Sequence, residues 1–437
     1  MDSKKMGFWG LTSFVAGSQV GSGIFLLPIS LAVFGAAGLT SWFISGSAAM
    51  ILALVFAKLS AHNPKLGGPH TFIENAFGEK LGFFSAWTYW IISWLSTSLE
   101  VVAIVAYLGP ILKNPHPVVN LFLGLFIILF VTYLNLRAVR FSAGLEFVLT
   151  LLKLLPILLI PIAGVFFFNK SHFVPFNPTA DGTINVVNAA TLLTFWGFLG
   201  LESATAPTNS VKNPSKTIPR ALIVGTMIVT VTYIFTSSMI MGILHPKVLA
   251  ASRTPFADAA QIMFGGNWHL LFSITAAIVC LGNLNVWTLT SGQIALGSAN
   301  DGHLPKFFAK KNASNTPKWG IIISSLGMVP VLFIAMNHAF ISVVGFLIDI
   351  CVTSFLFIYL LSVLSYLKIF WKDQVTGKVS VISLLIGFFA MLFCLWILYS
   401  SGIKMTLYAS LIVVAGLPMY FWKIKKGFAR VNIVDEK

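Results

Sequence analysis

Charge is scarce in this chain. Only 9% of its 437 residues are Asp, Glu, Lys or Arg while 57% are hydrophobic, a balance that excludes a water-soluble domain of this size and makes lipid the expected solvent. Cysteine is rarer still. Cys280, Cys351 and Cys394 each lie inside an apolar run without paired spacing, so neither a zinc site nor a disulfide framework is expected from them. The histidines, His62, His70, His116, His172, His245 and His303 among them, are scattered through loops and assemble no ligand set. HExxH, GxSxG and P-loop motifs are missing, which argues against a membrane-embedded hydrolase or lipid transferase and against an ATP-driven pump. No metal and no cofactor are expected. The net charge of +15 does not point to nucleic acid, because the basic residues sit in short loops between apolar runs and form no solvated basic face.

What the chain has in abundance is apolar length. Phe contributes 39 residues and Trp 12, an excess suited to lipid-facing surfaces and interfacial belts. A spanning helix needs roughly 20 mostly apolar residues. Twelve stretches qualify, beginning near Phe8, Gly38, Leu81, Val118, Ser142, Val187, Pro219, Trp268, Gly320, Ile341, Val379 and Lys404. The N-terminal MDSKKMGFWG reads as the approach to the first span and not as a cleaved signal peptide, since the apolar segment is too long and no A-x-A-like site follows. With the N-terminus inside, 22 basic residues fall on the cytoplasmic side. Only Lys113, Lys170, Lys247, Arg253 and Lys404 fall outside, so the positive-inside rule predicts both termini in the cytoplasm.

Two spans are interrupted. Gly17-Ser18-Gln19-Val20-Gly21-Ser22-Gly23 replaces bulky apolar residues with glycines and polar ones, which predicts unwound backbone in the first span. Trp196-Gly197-Phe198-Leu199-Gly200-Leu201-Glu202-Ser203 repeats the pattern five spans later, with a carboxylate in mid-segment. Irregular backbone at membrane depth is tolerated only where protein or a water-filled cavity surrounds it, and a broken helix offers amides suited to a carboxylate. Breaks at matching positions of two halves mark an inverted-repeat transporter with its substrate between them. Close glycine-lined helix contacts are the structural alternative. In the third span Tyr89, Ser93, Ser96, Thr97 and Glu100 fall on one polar stripe at helical spacing, expected to face a cavity.

The segments GSQVGSGIFLLP, FWGFLGLES followed by VKNPSKTIPRA, and ANDGHLPKFFAKKNASNTPK together resemble the amino acid-polyamine-organocation superfamily. Within it the chain is most similar to the basic amino acid and polyamine antiporters, the arginine/agmatine antiporter above all. The first cytoplasmic loop, Gly67-Gly68-Pro69-His70-Thr71-Phe72 through Phe77-Gly78, resembles the family's loop but carries Pro69-His70 where an aromatic is usual. The resemblance implies an all-α membrane fold of 12 transmembrane helices, ten of them in a 5+5 inverted repeat with helices 1 and 6 interrupted, working by alternating access without ATP. On that reading residues 1–437 form a single transporter domain, with repeat one at about 7–168, repeat two at about 186–366 and peripheral helices at about 378–423.

The resemblance also implies a site. Amides of Gly21, Ser22 and Gly23 would hold the substrate carboxylate, and carbonyls near Gln19, Trp196 and Leu199 would accept its ammonium. Trp196 would stack on the substrate, a contact worth about 1–2 kcal/mol when desolvated. Tyr89, Glu202 and Tyr359 would form gates, and Trp287 would divide the pathway. Ser93, Thr97 and Glu100 stand where the arginine antiporter has Cys, Asn and Met around the distal end of its substrate. A carboxylate at Glu100 favours a cationic side chain, as in lysine, ornithine, arginine or a polyamine, unless Glu100 is paired or protonated. Lys153, deep in an apolar span where sodium-coupled relatives bind sodium, is a candidate proton carrier and argues against sodium coupling. Asp349 lies two residues from Cys351, which matches a pocket serine, so a helix turns it away and a structural pairing is as fitting as a site role.

The sequence therefore predicts a secondary transporter of amino acids, cationic ones or related amines, in the plasma (inner) membrane, by exchange or proton coupling. A neutral amino acid permease or exporter of the same superfamily is the alternative. The expected partners are a small amino acid or amine, protons and the lipid bilayer, with a homodimer among the allowed assemblies.

Overall fold

The computed structural model describes residues 6–62, 68–113, 116–137, 157–202, 211–337, 340–375 and 380–426. In chain order its helices are α1 (Phe8–Gln19), α2 (Ser22–Ala32), α3 (Gly35–His62), α4 (Pro69–Phe77), α5 (Glu79–Leu108) and α6 (Pro117–Leu136). There follow α7 (Ile157–Phe167), α8 (Thr183–Phe195), α9 (Pro214–Ile243), α10 (Pro246–Ala251), α11 (Pro255–Phe264) and α12 (Trp268–Asn300). The chain ends in α13 (Lys318–Asn337), α14 (Phe340–Val375), α15 (Val381–Ser400), α16 (Gly402–Val414) and α17 (Leu417–Lys426). Among the described residues no β-strand forms.

Nine described helices are long and apolar enough to cross a membrane, and α1 with α2 makes a tenth crossing as a pair bent by 41°. Their composition explains why they are helices that must lie in lipid. On α6 the buried face carries Gly124, Ile127, Ile128 and Val131, while Phe122, Phe126 and Leu129 point outward and are just as apolar. A helix apolar on all sides cannot be stable at a water-facing surface. Its start is fixed by Pro117, whose missing N–H costs nothing in a first turn, and by the His116 ring, which accepts from the Val118 amide. The first part of the fifth expected span, beginning near Ser142, lies outside the described residues, and Lys153 with it, while its later part is α7. The sixth appears as the shorter helix α8.

Packing sets the frame of the site. α5 runs against α12, α1 against α9, and α3 against both α8 and α9. The two interruptions therefore lie inside a ring of long helices, walled from lipid.

The first interruption is shorter than its glycine-rich sequence suggests, and the second is described as far as Glu202. α1 stays helical through Gln19 and α2 resumes at Ser22, so only Val20 and Gly21 lie outside the two helices. The Val20 amide still donates to the Ala16 carbonyl, so the ladder runs to the end of α1, while the Ser18 hydroxyl and the Gln19 amide side chain both bond back to the Val15 carbonyl. At the second break α8 tightens into a 3₁₀ turn at Trp196–Phe198, Leu199 is extended, and Gly200 takes φ 94°. That conformation favours glycine, and the space requires it too, since a Cβ at Gly200 would stand 2.7 Å from Trp287 Cζ2.

Candidate functional site

A small cavity lies between the two breaks. Its lining comes from α1, α2 and their junction (Ser18, Gln19, Gly21, Gly23), from α5 (Ser96, Thr97, Glu100) and from the second break (Trp196, Gly197, Leu199). Tyr233 of α9, Asn283 and Trp287 of α12 and Phe355 of α14 complete it. The cavity holds about 40 Å³ for the centres of water-sized molecules, room for roughly three waters. A lysine-sized ligand enters only as side chains move apart.

Glu100 is the dominant charge-bearing group. Its side chain is 5% exposed. The Ser22 amide donates to both of its oxygens at 3.0 Å, and the Ser22 hydroxyl donates to Oε1 at 2.8 Å. Asn283 Nδ2 donates to Oε1 at 2.8 Å, and the Cys280 thiol, one turn earlier on α12, bonds to the same carboxyl. Ser22 opens α2, where backbone amides lack intrahelical partners. Glu100 thus caps α2 from another helix. The approach depends on Gly21, because a Cβ there would stand 2.0 Å from Asn283 Nδ2 and 2.5 Å from Glu100 Oε1.

This arrangement differs from the expectation that the Ser22 amide faces a substrate carboxylate while Glu100 faces the far end of the ligand. The reason is reach. Glu100 is one turn beyond Thr97 on α5, at the level where α2 starts, so its two methylenes bring the carboxyl to the break itself. Ser93 also departs from expectation: it is buried, donates to the Trp90 carbonyl and does not line the cavity, whereas Ser96 and Thr97 do.

The carbonyl side of the break is held by aromatics. Tyr233 Oη donates to the Gln19 carbonyl at 3.0 Å, and its ring stacks on Trp42 at 4.5 Å. Trp287 Nε1 donates to the Ser18 carbonyl at 3.2 Å, and Ser18 Oγ reaches the Gly200 carbonyl at 3.3 Å, tying one break to the other. Trp196 is 8% exposed and faces Gly23 across the cavity. Two acceptors stand apart from these bonds. Gln19 Oε1 and Asn283 Oδ1 are buried without a hydrogen-bond partner among the described residues.

Tyr89, Glu202 and Tyr359 meet in one cluster beyond the cavity. Tyr89 Oη donates to Glu202 Oε1 at 2.9 Å and Tyr359 Oη to Oε2 at 2.5 Å, all three side chains being buried. Tyr89 precedes Glu100 by eleven residues, about 16 Å along α5, so the cluster lies on the side of the cavity towards the end of the bundle that carries α4. There Gly68, at the start of α4, lies against the Tyr89 ring. A second polar layer follows: His70 pairs with Asp301 at 3.2 Å, and His303 with Glu74 at 3.1 Å. Lys423 of α17 reaches Glu79 at 2.6 Å and His303 Nδ1 at 3.1 Å. Burial pushes the His303 imidazole below its ordinary value, with the Glu74 contact opposing.

Asp349 is half-buried on α14 and does not line the cavity. Lys153 lies outside the described residues. Tyr233, Asn283, Cys280 and Phe355 were not legible as site residues from spacing alone, although Thr226, Thr230, Tyr233 and Ser237 form a polar stripe on α9 and Asn283 is an amide inside an apolar span.

Comparison with known proteins places this geometry. The family model described as amino acid permease matches residues 6–419. The cadaverine/lysine antiporter of Escherichia coli (strain K12) is 33% identical over 350 residues, covering 77% of each chain. The putative arginine/ornithine antiporter of Bacillus subtilis (strain 168) is 30% identical over 413 residues, 86% of this chain and 87% of that one. The putrescine transporter PotE of E. coli (strain K12) is 27% identical over 420 residues, 96% of each. The chain belongs to the amino acid permease family of the amino acid-polyamine-organocation superfamily, whose members are membrane transporters and not enzymes.

Proposed function

We propose that the chain is a secondary transporter of cationic amino acids or related amines, working by exchange or proton-coupled alternating access. The observation that carries this reading is the buried Glu100 carboxyl in a cavity whose described lining has no Lys, Arg or His. Such a site attracts a cation and opposes an acidic ligand. Gln19 Oε1 and Asn283 Oδ1 add acceptors that an ammonium would satisfy. The printed activities of the relatives, cadaverine/lysine, arginine/ornithine and putrescine transport, fit the same charge class.

In this reading Trp196 and Trp287 close on the ligand from the two sides of the cavity. The Tyr89–Glu202–Tyr359 cluster is the gate on the cytoplasmic side, and Lys153 carries the coupling proton. The fold is the twelve-span, 5+5 inverted-repeat single domain in the inner membrane, both termini cytoplasmic. Uptake of labelled lysine, arginine, leucine and glutamate into proteoliposomes, at several pH values and with or without sodium, tests it. Lysine or arginine uptake without a sodium requirement is expected. Leucine uptake without lysine uptake would replace the cationic reading by the neutral permease.

A further inference from the structure

The function proposed above leaves one contact unused. An α-amino acid read by a broken helix brings its own carboxylate to the orphan amides of the second half-helix, yet here the first of those amides, Ser22 N–H, is already satisfied by Glu100 at 3.0 Å from both carboxyl oxygens. The Ser22 hydroxyl and Asn283 Nδ2 bind the same carboxyl, so four donor contacts converge on it within 3.0 Å. The atoms still seeking partners in the cavity are of the opposite kind. Gln19 Oε1 and Asn283 Oδ1, on side chains 4% and 6% exposed, both accept. A cavity offering spare acceptors, with its anion seat already filled, is chemically complementary to a ligand made of ammonium groups.

We propose that Glu100 is a tethered carboxylate that occupies the seat of a substrate carboxylate, so that the seated form takes a diamine and an amino acid binds only by displacing Glu100 from Ser22. This rests on the reading of the chain as a cation transporter. With Glu100 seated, a diamine ammonium pairs with the carboxylate and donates to Gln19 Oε1 and Asn283 Oδ1. An amino acid entering that form would bring a second carboxylate to the same half-helix terminus, where the two repel. When Glu100 leaves the seat, the amino acid carboxylate takes over the Ser22 contacts, and the departing side chain also widens the cavity. Gly21 is the permissive element, since any Cβ there would collide with both Glu100 and Asn283. One side chain with two positions thereby lets a single site alternate between an amino acid and the diamine that differs from it by a carboxylate.

The test is competition against labelled L-lysine uptake in proteoliposomes, with unlabelled L-lysine, L-lysine methyl ester and 1,5-diaminopentane as probes. In Glu100→Gln the half-inhibitory concentration of the diamine and of the ester is expected to rise about tenfold or more, while that of lysine changes little or falls. Parallel weakening of lysine and diamine, or a larger loss for lysine, would overturn the proposal while leaving cation transport intact. A wild-type protein that takes neither lysine nor the diamine would instead sink the functional reading beneath it. Should Glu100→Gln fail to fold, Glu100→Asp decides. One methylene shorter, it keeps the charge but withdraws the carboxyl from Ser22, so the ratio of diamine to lysine half-inhibitory concentrations is expected to rise severalfold, and an unchanged ratio contradicts the proposal.

Discussion

Tyr359 of α14 donates to Glu202 Oε2 at 2.5 Å, which fixes the long helix to the segment just past the second break. Tyr89 of α5 holds the other oxygen. The carboxyl is 1% exposed and thus bridges three elements at the end of the cavity nearer α4.

Tyr359→Phe should loosen this closure. Removing one donor from a buried carboxyl costs about 1–3 kcal/mol, roughly fivefold to 150-fold in the balance between closed and open forms. A cysteine placed at Ser96 should then react several times faster with an impermeant thiol reagent added on the α4 side. An unchanged rate would remove the pair from a gating role.

Gly21→Ala should abolish binding with the protein still folded. The added methyl would meet Asn283 Nδ2 and Glu100 Oε1 well inside van der Waals distance, filling the space in front of Ser22 that any carboxyl, of Glu100 or of the ligand, has to occupy. Normal elution as a dispersed species, with lysine uptake lost, is the expected pair of results.

Tyr233→Phe keeps the ring stacked on Trp42 but removes the hydrogen bond to the Gln19 carbonyl. Such a bond contributes about 0.5–1.5 kcal/mol. The variant should lose a few degrees in Tm and raise KM for the substrate more than it lowers maximal rate. A wild-type KM would show that the carbonyl at the break needs no support.

The polar layer beyond the Tyr89–Glu202–Tyr359 cluster should respond to acid. His303 accepts from Lys423 at Nδ1 and, as the neutral Nε2–H tautomer, donates to Glu74. Because burial lowers its pKa in the folded state, the unfolded chain binds the proton first. Its contribution to stability is full above about pH 6.5 and declines as pH falls below that value. Protonation also removes the acceptor for Lys423. Amide exchange across 417–426 should therefore accelerate between pH 7.5 and pH 5.5 relative to α6, and His303→Asn should flatten that difference. Equal protection at both pH values would contradict it.

Much of this was legible in the sequence because lipid imposes a simple code. Apolar length reveals spans, and the glycines at Gly21 and Gly200 mark the two breaks. The helical stripe of α5 correctly turns Ser96, Thr97 and Glu100 inward. What the stripe could not give is depth. Whether Glu100 points at a distal ligand group or at Ser22 depends on the axial offset between α5 and α2, elements 78 positions apart in chain. The extent of unwinding was overestimated for a related reason. The end carbonyls of α1, at Ser18 and Gln19, accept from Trp287 and Tyr233, partners on distant helices that no composition reveals. Asn283 and Tyr233 were missed because each is one polar group on a long apolar helix, meaningful only once α9 and α12 are packed around the break.

The most direct test of the account is counterflow: labelled lysine entering proteoliposomes preloaded with unlabelled lysine, 1,5-diaminopentane, leucine or buffer alone. Stimulation by internal lysine and diamine but not by leucine is the predicted result. Stimulation by leucine, with lysine and diamine without effect, would contradict a cavity built around the Glu100 carboxyl.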